Sequence, residues 1–110
     1  MASKANIIVD QGSTFETYIE ISDDQGIVVD LTGYTTRGQI RKWYTSSAYI
    51  DITVNCPQPN NGIIFIGLTA NTTTDMEPGR YVYDIEAVAT DHTVTRIVEG
   101  ILTVTPEVTR

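Results

Sequence analysis

The sequence predicts an all-β fold, an antiparallel β-sandwich built as one domain, on three observations. Leucine occurs only three times, whereas Thr, Ile, Val and Tyr are abundant, and these residues suit a pleated sheet better than a helix. Apolar and polar residues alternate in short runs separated by turn signals roughly every 8 to 12 residues, which is typical of sandwiches and barrels. The length of 110 residues fits a single hydrophobic core.

The first half of the chain contains four predicted strands. Residues 14–21 alternate and end at the turn "DDQG", after which residues 27–29 form a short strand. Residues 36–41 point Ile40 inward and Arg37, Gln39 and Arg41 outward. Residues 48–54 repeat the alternation before "NCPQPNNG" interrupts the chain with two prolines and an Asn-Gly pair.

The second half adds one more strand, a connector and a closing hairpin. Residues 64–68 form the strand, and the connector at residues 69–79 is the one place where a helical turn is expected, with Met76 beneath the sandwich. The hairpin turns at "TDHT", and its return strand is predicted to point Val94 inward. The predicted core comprises Phe15, Ile19, Ile40, Ile52, Ile66, Leu68, Tyr81, Tyr83, Ile85, Leu102 and Val104.

The count of seven to eight strands favours an immunoglobulin-like sandwich. The paired cysteines of antibody domains are missing, but Tyr81, at the start of the penultimate strand after "PGR", stands where such folds place a tyrosine corner. We therefore predict a single immunoglobulin-like domain over residues 1–110. Residues 1–9 are a candidate extended amino-terminal arm, and residues 106–110 are a candidate extended tail.

Charge and cysteine content narrow the classes of partner. Seven Lys and Arg against fourteen Asp and Glu give a net charge of −7, which argues against binding to nucleic acid or to an anionic membrane. The single cysteine excludes an intrachain disulfide. The sequence contains no apolar run long enough for a signal peptide or a membrane span, so we expect a soluble product made in the cytoplasm.

Candidate catalytic residues are few, and we expect no enzyme, no cofactor and no metal site. His92 is the only histidine and Cys56 the only cysteine, and both fall in predicted loops. Asp84 and Glu86 alternate outward on the hairpin, where they are expected to keep the sheet soluble or to pair with Arg96 on the return strand.

Two surfaces are candidates for binding a protein. The first is the only basic and aromatic cluster, and Arg and aromatic residues dominate interface hot spots. It comprises Arg37, Arg41, Lys42, Trp43 and Tyr44. The second consists of the sheet edges at the arm, with Ile7 and Ile8, and at the tail, with Val108 and Arg110, where a strand could be added to a partner sheet.

Three stretches carry a resemblance to a known family: "DQGSTFETYIEISDDQGIVVDLTGYTTRGQIRK", "NGIIFIGLT" and "EPGRYVYDIEAVATDHTVTRIVEGILTVTPEVTR". They resemble the immunoglobulin-like domain at the amino end of phage baseplate upper proteins. They are also similar to the small virion structural proteins of tailed cyanophages that consist of this domain alone. The markers, such as "DLTGYT" and "GRYVYD", are structural rather than catalytic.

The resemblance implies a virion component without enzymatic activity, assembled in the host cytoplasm and held by contacts with other virion proteins or with further copies of itself. Attachment at the tail or baseplate and decoration of the capsid both remain open. A carbohydrate-binding module that uses Trp43, Tyr44 and Tyr49 as a stacking platform is a third alternative.

Overall fold

Eight strands build the part of the chain that a computed structural model describes, residues 3–23 and 25–108. One short helix and one 3-10 turn complete the secondary structure of these residues, so the predicted all-β class is confirmed. The elements are β1 (Ser3–Lys4), β2 (Ile7–Asp10), β3 (Phe15–Glu20), β4 (Thr35–Arg41), β5 (Ile50–Gln58), the 3-10 turn (Pro59–Asn61), β6 (Ile63–Leu68), α1 (Ala70–Thr74), β7 (Gly79–Val88) and β8 (Val94–Thr105).

The strands follow the order β1-β8-β7-β4-β5-β6-β3, with β2 also paired to β8. β5 divides this path into two sheets. Its first residues pair with β4, as in the pair Ile52 and Gly38, whereas from Thr53 onward it pairs with β6. Sheet A therefore contains β1, β2, β8, β7, β4 and the start of β5, and sheet B contains the rest of β5 with β6 and β3. Side chains from both sheets meet in one core.

The core matches the predicted set closely. Nine of the eleven predicted core residues are buried, and Phe15 and Ile19 are only half-buried. Both lie on β3, the last strand of sheet B, where one flank of the core stays open to solvent. The alternation along each strand therefore predicted which side chains turn inward, but not how completely the edge strand is covered.

A β-bulge in the hairpin explains one wrong prediction. Ile85 pairs with Val98, but Glu86 pairs with Arg96, so Ile97 is an extra residue on β8. On the amino-terminal side of the bulge, the even-numbered residues of β8 point outward, whereas Val98 and the even-numbered residues after it point inward. Val94 therefore lies opposite Val88 on the outer face, with 48% of its surface exposed. Val94 was expected inward because an unbroken period of two would have placed it beside Val98.

The predicted tyrosine corner is confirmed. The hydroxyl of Tyr81 donates a hydrogen bond of 2.8 Å to the carbonyl oxygen of Glu77, four residues earlier in the chain. This bond ties the start of β7 to the connector that follows α1. The connector contains the expected helical turn, α1, and Met76 is buried beneath it.

The amino-terminal segment belongs to the sheet in its described part. Within the expected arm, residues 3–4 and 7–9 pair parallel to β8. The hydroxyl of Tyr83 donates a hydrogen bond to the carbonyl oxygen of Ala5, and burial raises the pKa of Tyr83 to about 12. Gly100 permits this approach, because a Cβ at that position would collide with the same Ala5 carbonyl.

The predicted short strand at residues 27–29 is wrong, since only one isolated bridge joins Val28 to Ser22. The carboxylate of Asp23 accepts hydrogen bonds of 2.9 Å from the backbone N–H groups of Gln25 and Ile27. Two backbone hydrogen bonds flank the bridge, from the N–H of Asp23 to the carbonyl oxygen of Ile27 at 2.8 Å and from the N–H of Val29 to the carbonyl oxygen of Ile21 at 2.9 Å, so the pairing is local and does not extend into a strand. Asp24 of the "DDQG" turn lies outside the described residues.

Candidate docking face of sheet A

The outer face of sheet A carries charges of both signs in register. β4 presents Arg37 and Arg41, and the neighbouring strand β7 presents Asp84 and Glu86. Arg37 lies opposite Glu86, and Glu86 lies opposite Arg96 of β8. The acidic strand β7 is therefore placed between two strands that carry arginines. We call the set Arg37, Arg41, Tyr44, Asp84, Glu86 and Arg96 the charged face.

Three ion pairs link the charged face. Arg37 Nε lies 2.9 Å from Glu86 Oε1, and Arg96 Nε lies 3.3 Å from Asp84 Oδ2. Arg96 Nη1 also lies 3.7 Å from a carboxylate oxygen of Glu99. Pairing with Arg96 was one of the two alternatives predicted for Asp84 and Glu86, and Asp84 forms that ion pair. The arginine side chains remain half or more exposed, so each pair contributes at most about 1 kcal/mol to stability.

Asp84 is the charged group most affected by its surroundings. Partial burial raises the pKa of its carboxyl group, Arg96 and Arg41 lower it, and the charges of Glu86 and Glu99 raise it. The net pKa shift is upward, because the cations offset only part of the burial and of the acidic neighbours. A further cation brought to this face would therefore stabilise the ionised form of Asp84.

A shallow cleft of about 450 Å³ follows the charged face. Arg37 and Glu86 lie along it with Arg96, and the ring of Tyr44 lies at its margin with 71% of the residue exposed. Val82 adds an apolar contact. The cleft therefore combines an exposed tyrosine ring with arginines, two residue types that are enriched at protein interfaces, beside the carboxylates that pair with them.

The structure divides the predicted basic and aromatic cluster. Arg37, Arg41 and Tyr44 line the cleft, but Lys42 does not. Side chains alternate along an extended chain, so Lys42 points to the other side, where its Nζ lies 4.6 Å from the centre of the Tyr81 ring. Lys42, predicted as part of the same cluster, therefore does not share the face of Arg37 and Arg41. Trp43 is 59% exposed in the loop after β4 and does not line the cleft.

Arg41 is held by the loop that follows it. Its guanidinium donates to the carbonyl oxygen of Ser46, and a second donor reaches Gln39 Oε1 at 2.9 Å. The same group lies 5.0 Å from the centre of the Tyr49 ring. Arg41 therefore positions the loop that carries Tyr44, whereas Arg37 has only an exposed ion pair to hold it. Tyr49 borders a separate depression and does not share the cleft with Tyr44.

The second predicted surface has a mixed outcome. Ile8 is exposed and Val108 is almost fully exposed, so both remain available to a partner. Ile7 is 8% exposed and packs in the core, because β2 turns every second side chain inward. Its assignment to an interface was therefore wrong. Arg110 lies outside the described residues.

His92 and Cys56 lie in different elements. His92 is exposed in the turn between β7 and β8, with a φ of 71°. Cys56 is half-buried on β5, not in a loop as expected, and burial raises the pKa of its thiol. A raised pKa keeps the thiol protonated and unreactive at neutral pH.

The described residues contain neither a candidate metal site nor a membrane-spanning helix. No group of three or more His, Cys, Asp or Glu side chains in residues 3–23 and 25–108 is arranged to hold a metal ion. None of the helices in the same residues is long and apolar enough to span a membrane.

One contact of the charged face and one exposed aromatic pair on sheet B were not predicted from the sequence. The bond from Arg37 to Glu86 joins β4 to β7, and alternation within each strand gives no information on which strands are neighbours. On sheet B, Tyr18 lies edge-on to Phe65 with 5.4 Å between ring centres. The alternation of "FETYIE" was sufficient to place Tyr18 outward beside Glu16 and Glu20.

Comparison with known proteins gives no family assignment. No family model matches the chain, and no curated protein matches its sequence. Among solved structures, an internalin-like protein of Listeria monocytogenes is similar with a TM-score of 0.48 and 14% sequence identity. The similarity covers 94% of this chain and 28% of that protein's chain, so this chain spans under a third of its length.

Proposed function

We propose that this chain is a virion structural protein without enzymatic activity, which docks on other virion proteins as a component of the tail or baseplate. The observation that carries the docking role is the cleft of the charged face, where Arg37 and Tyr44 are exposed beside carboxylates. The virion context rests on the sequence resemblance to baseplate and cyanophage structural domains.

The ion pairs of the charged face are exposed, so charged groups of another protein can replace their members. The bond between Arg37 and Glu86 is exposed and is worth at most about 1 kcal/mol, so a carboxylate of a partner can replace Glu86 at little cost. Glu86 is then released for a cation of the partner. Charges of both signs in a fixed register favour a partner with the complementary order and disfavour others.

The exposed ring of Tyr44 supplies the apolar part of the interaction. A tyrosine ring buries a large area for only two side-chain torsions, which is why tyrosines are enriched at interface hot spots. Arg41 holds the loop of Tyr44 through Ser46, so less conformational entropy is lost when the ring is buried. Because a virion offers many identical sites, several modest contacts can hold the domain in place.

The partners are then other virion proteins, and assembly takes place in the host cytoplasm. Decoration of the capsid is the alternative location for the same docking mode. The size of the free protein in solution separates the two in part, since a trimer would favour a position at junctions between capsid subunits.

The experiment is incorporation of tagged variants into particles. Arg37→Glu reverses the charge in the cleft, and Arg80→Glu makes the same change at an exposed arginine of β7 outside the cleft. We expect Arg37→Glu to reduce occupancy in purified virions at least tenfold, and Arg80→Glu to leave it near the wild-type value. Arg80→Glu should melt close to the wild type, because the changed residue is exposed. Arg37→Glu loses an exposed ion pair and places a carboxylate opposite Glu86, so it should lose about 1 kcal/mol of stability and remain folded.

Equal occupancy of the two variants would rule out the charged face as the docking surface. Absence of the wild-type chain from purified virions would contradict the virion role itself. Saturable binding of a sugar on a glycan array, lost on changing Tyr44 to Ala, would favour the carbohydrate-binding alternative instead.

A further inference from the structure

The outer edge of β3 is unpaired among the described residues. β3 ends the strand order of sheet B and pairs only with β6, through six consecutive residue pairs without a bulge. Natural edge strands are commonly protected by charged side chains, proline or a bulge. β3, with the sequence FETYIE, contains no proline, lysine or bulge, and its two charged residues, Glu16 and Glu20, are both acidic, so they disfavour acidic strands but not basic ones. Its edge is a regular template on which a further strand can form hydrogen bonds.

The register identifies which backbone groups face this edge. The N–H of Ile21 donates to the carbonyl oxygen of Gly62 at 2.7 Å, which continues the β3–β6 register by one pair. In an antiparallel ladder the bonded pairs alternate, so odd-numbered residues of β3 bond to β6. The N–H and C=O groups of Glu16, Tyr18 and Glu20 therefore point to the free edge.

The strands of sheet B carry acidic side chains but no basic ones. β3, β5 and β6 contain no Lys or Arg, whereas Glu16 and Glu20 are exposed on either side of Tyr18. Tyr18 is 64% exposed and packs edge-on against Phe65. On the opposite side of the same strand, Phe15 and Ile19 are only half-buried. The edge thus offers acidic groups on one side and uncovered apolar surface on the other.

We propose that the edge of β3 binds an extended segment of another protein in which basic residues alternate with apolar ones. Added as a strand, the segment bonds to the free backbone groups of Glu16, Tyr18 and Glu20. Two basic side chains four residues apart then lie beside Glu16 and Glu20, and the apolar residues between them lie opposite Thr17 and Ile19, on the side where the half-buried Ile19 is open to solvent. This site lies on sheet B and does not depend on the charged face.

Charge argues against a second copy of this chain as the occupant. Two β3 strands paired antiparallel about Tyr18 would place Glu16 of each copy opposite Glu20 of the other. Like charges directly opposite each other destabilise a strand pair. The same two positions favour a basic segment, so the edge selects a foreign strand over self-association.

The test is a titration of the isotope-labelled protein with two capped peptides. One contains Lys-Val-Thr-Val-Lys and the other Glu-Val-Thr-Val-Glu. We expect the lysine peptide to bind, with chemical-shift changes and slowed hydrogen exchange at the amides of Glu16, Tyr18 and Glu20. The glutamate peptide should show no binding. The double variant E16Q/E20Q should weaken binding of the lysine peptide roughly fivefold at low salt.

A second pair of variants isolates the backbone contribution. Tyr18→Pro and Tyr18→Thr both remove the aromatic ring, but only proline removes the N–H that faces the free edge, and an edge strand tolerates proline there. The threonine variant should retain measurable binding, and the proline variant should lose it while keeping its melting temperature.

Three results of the titration would overturn the proposal: no binding of the lysine peptide at millimolar concentration, equal binding of both peptides, or chemical-shift changes confined to β4, β7 and β8. A wild-type dimer in sedimentation that Tyr18→Pro dissociates would also overturn it. Loss of virion incorporation in Arg37→Glu has no bearing on this site, so the two proposals fail independently.

Discussion

Replacement of Tyr81 by phenylalanine removes a single hydroxyl group from the tyrosine corner. The ring stays buried and remains in contact with Lys42, so the change isolates the 2.8 Å bond to the Glu77 carbonyl. A net hydrogen bond of this kind contributes about 1 kcal/mol. Glu77 is exposed, so water can partly satisfy the released carbonyl, and the larger cost of a fully buried unpaired acceptor does not arise.

We therefore expect Tyr81→Phe to lower the free energy of unfolding by about 1 kcal/mol, or the melting temperature by about 4 °C. Equilibrium unfolding in urea measures it, with an unchanged slope as evidence that only the folded state is affected. Tyr18→Phe is the matched control, because Tyr18 is largely exposed and should show no loss. Equal stability of the two variants would refute a stabilising role for the corner.

Two further predictions concern sheet A. Gly100→Ala should lower the free energy of unfolding by about 2 kcal/mol, because its new methyl group meets the Ala5 carbonyl and displaces the amino-terminal strand. Urea unfolding would measure this loss. Faster hydrogen exchange of the Ala5 amide, which bonds to the Glu99 carbonyl, would show the displacement. Asp84 has a raised pKa in the folded state, so its contribution to stability is present at low pH and is lost as pH rises through that pKa. Asp84→Asn should therefore gain stability relative to the wild type as pH rises from below the usual pKa of an aspartate through the raised pKa of Asp84. A difference in melting temperature that stays constant from acid to neutral pH would contradict the shift.

Much of the fold could be predicted because one face of most strands is buried. A period of two then requires an apolar residue at every second position, as at Tyr81, Tyr83 and Ile85, and this constraint is visible in the sequence. The tyrosine corner could be predicted because it is a local contact, which joins Tyr81 to a residue four positions earlier in the chain.

The remaining features depend on contacts between distant parts of the chain. The bulge at Ile97 shifts the register of β8 and reverses the side of Val94, and no local pattern marks it. The parallel pairing of Ile7 with Leu102 joins the two ends of the chain. At the charged face, the sequence identified Arg37 but not its partner Glu86, because the order of strands in the sheet decides that pair.

The most direct test of the docking role is a density map of an intact virion into which this domain is placed. We expect each copy to have the cleft of the charged face against a neighbouring protein, with Arg37 and Tyr44 in the contact. Copies whose charged face is open to solvent, held instead through another surface, would contradict the proposed docking mode.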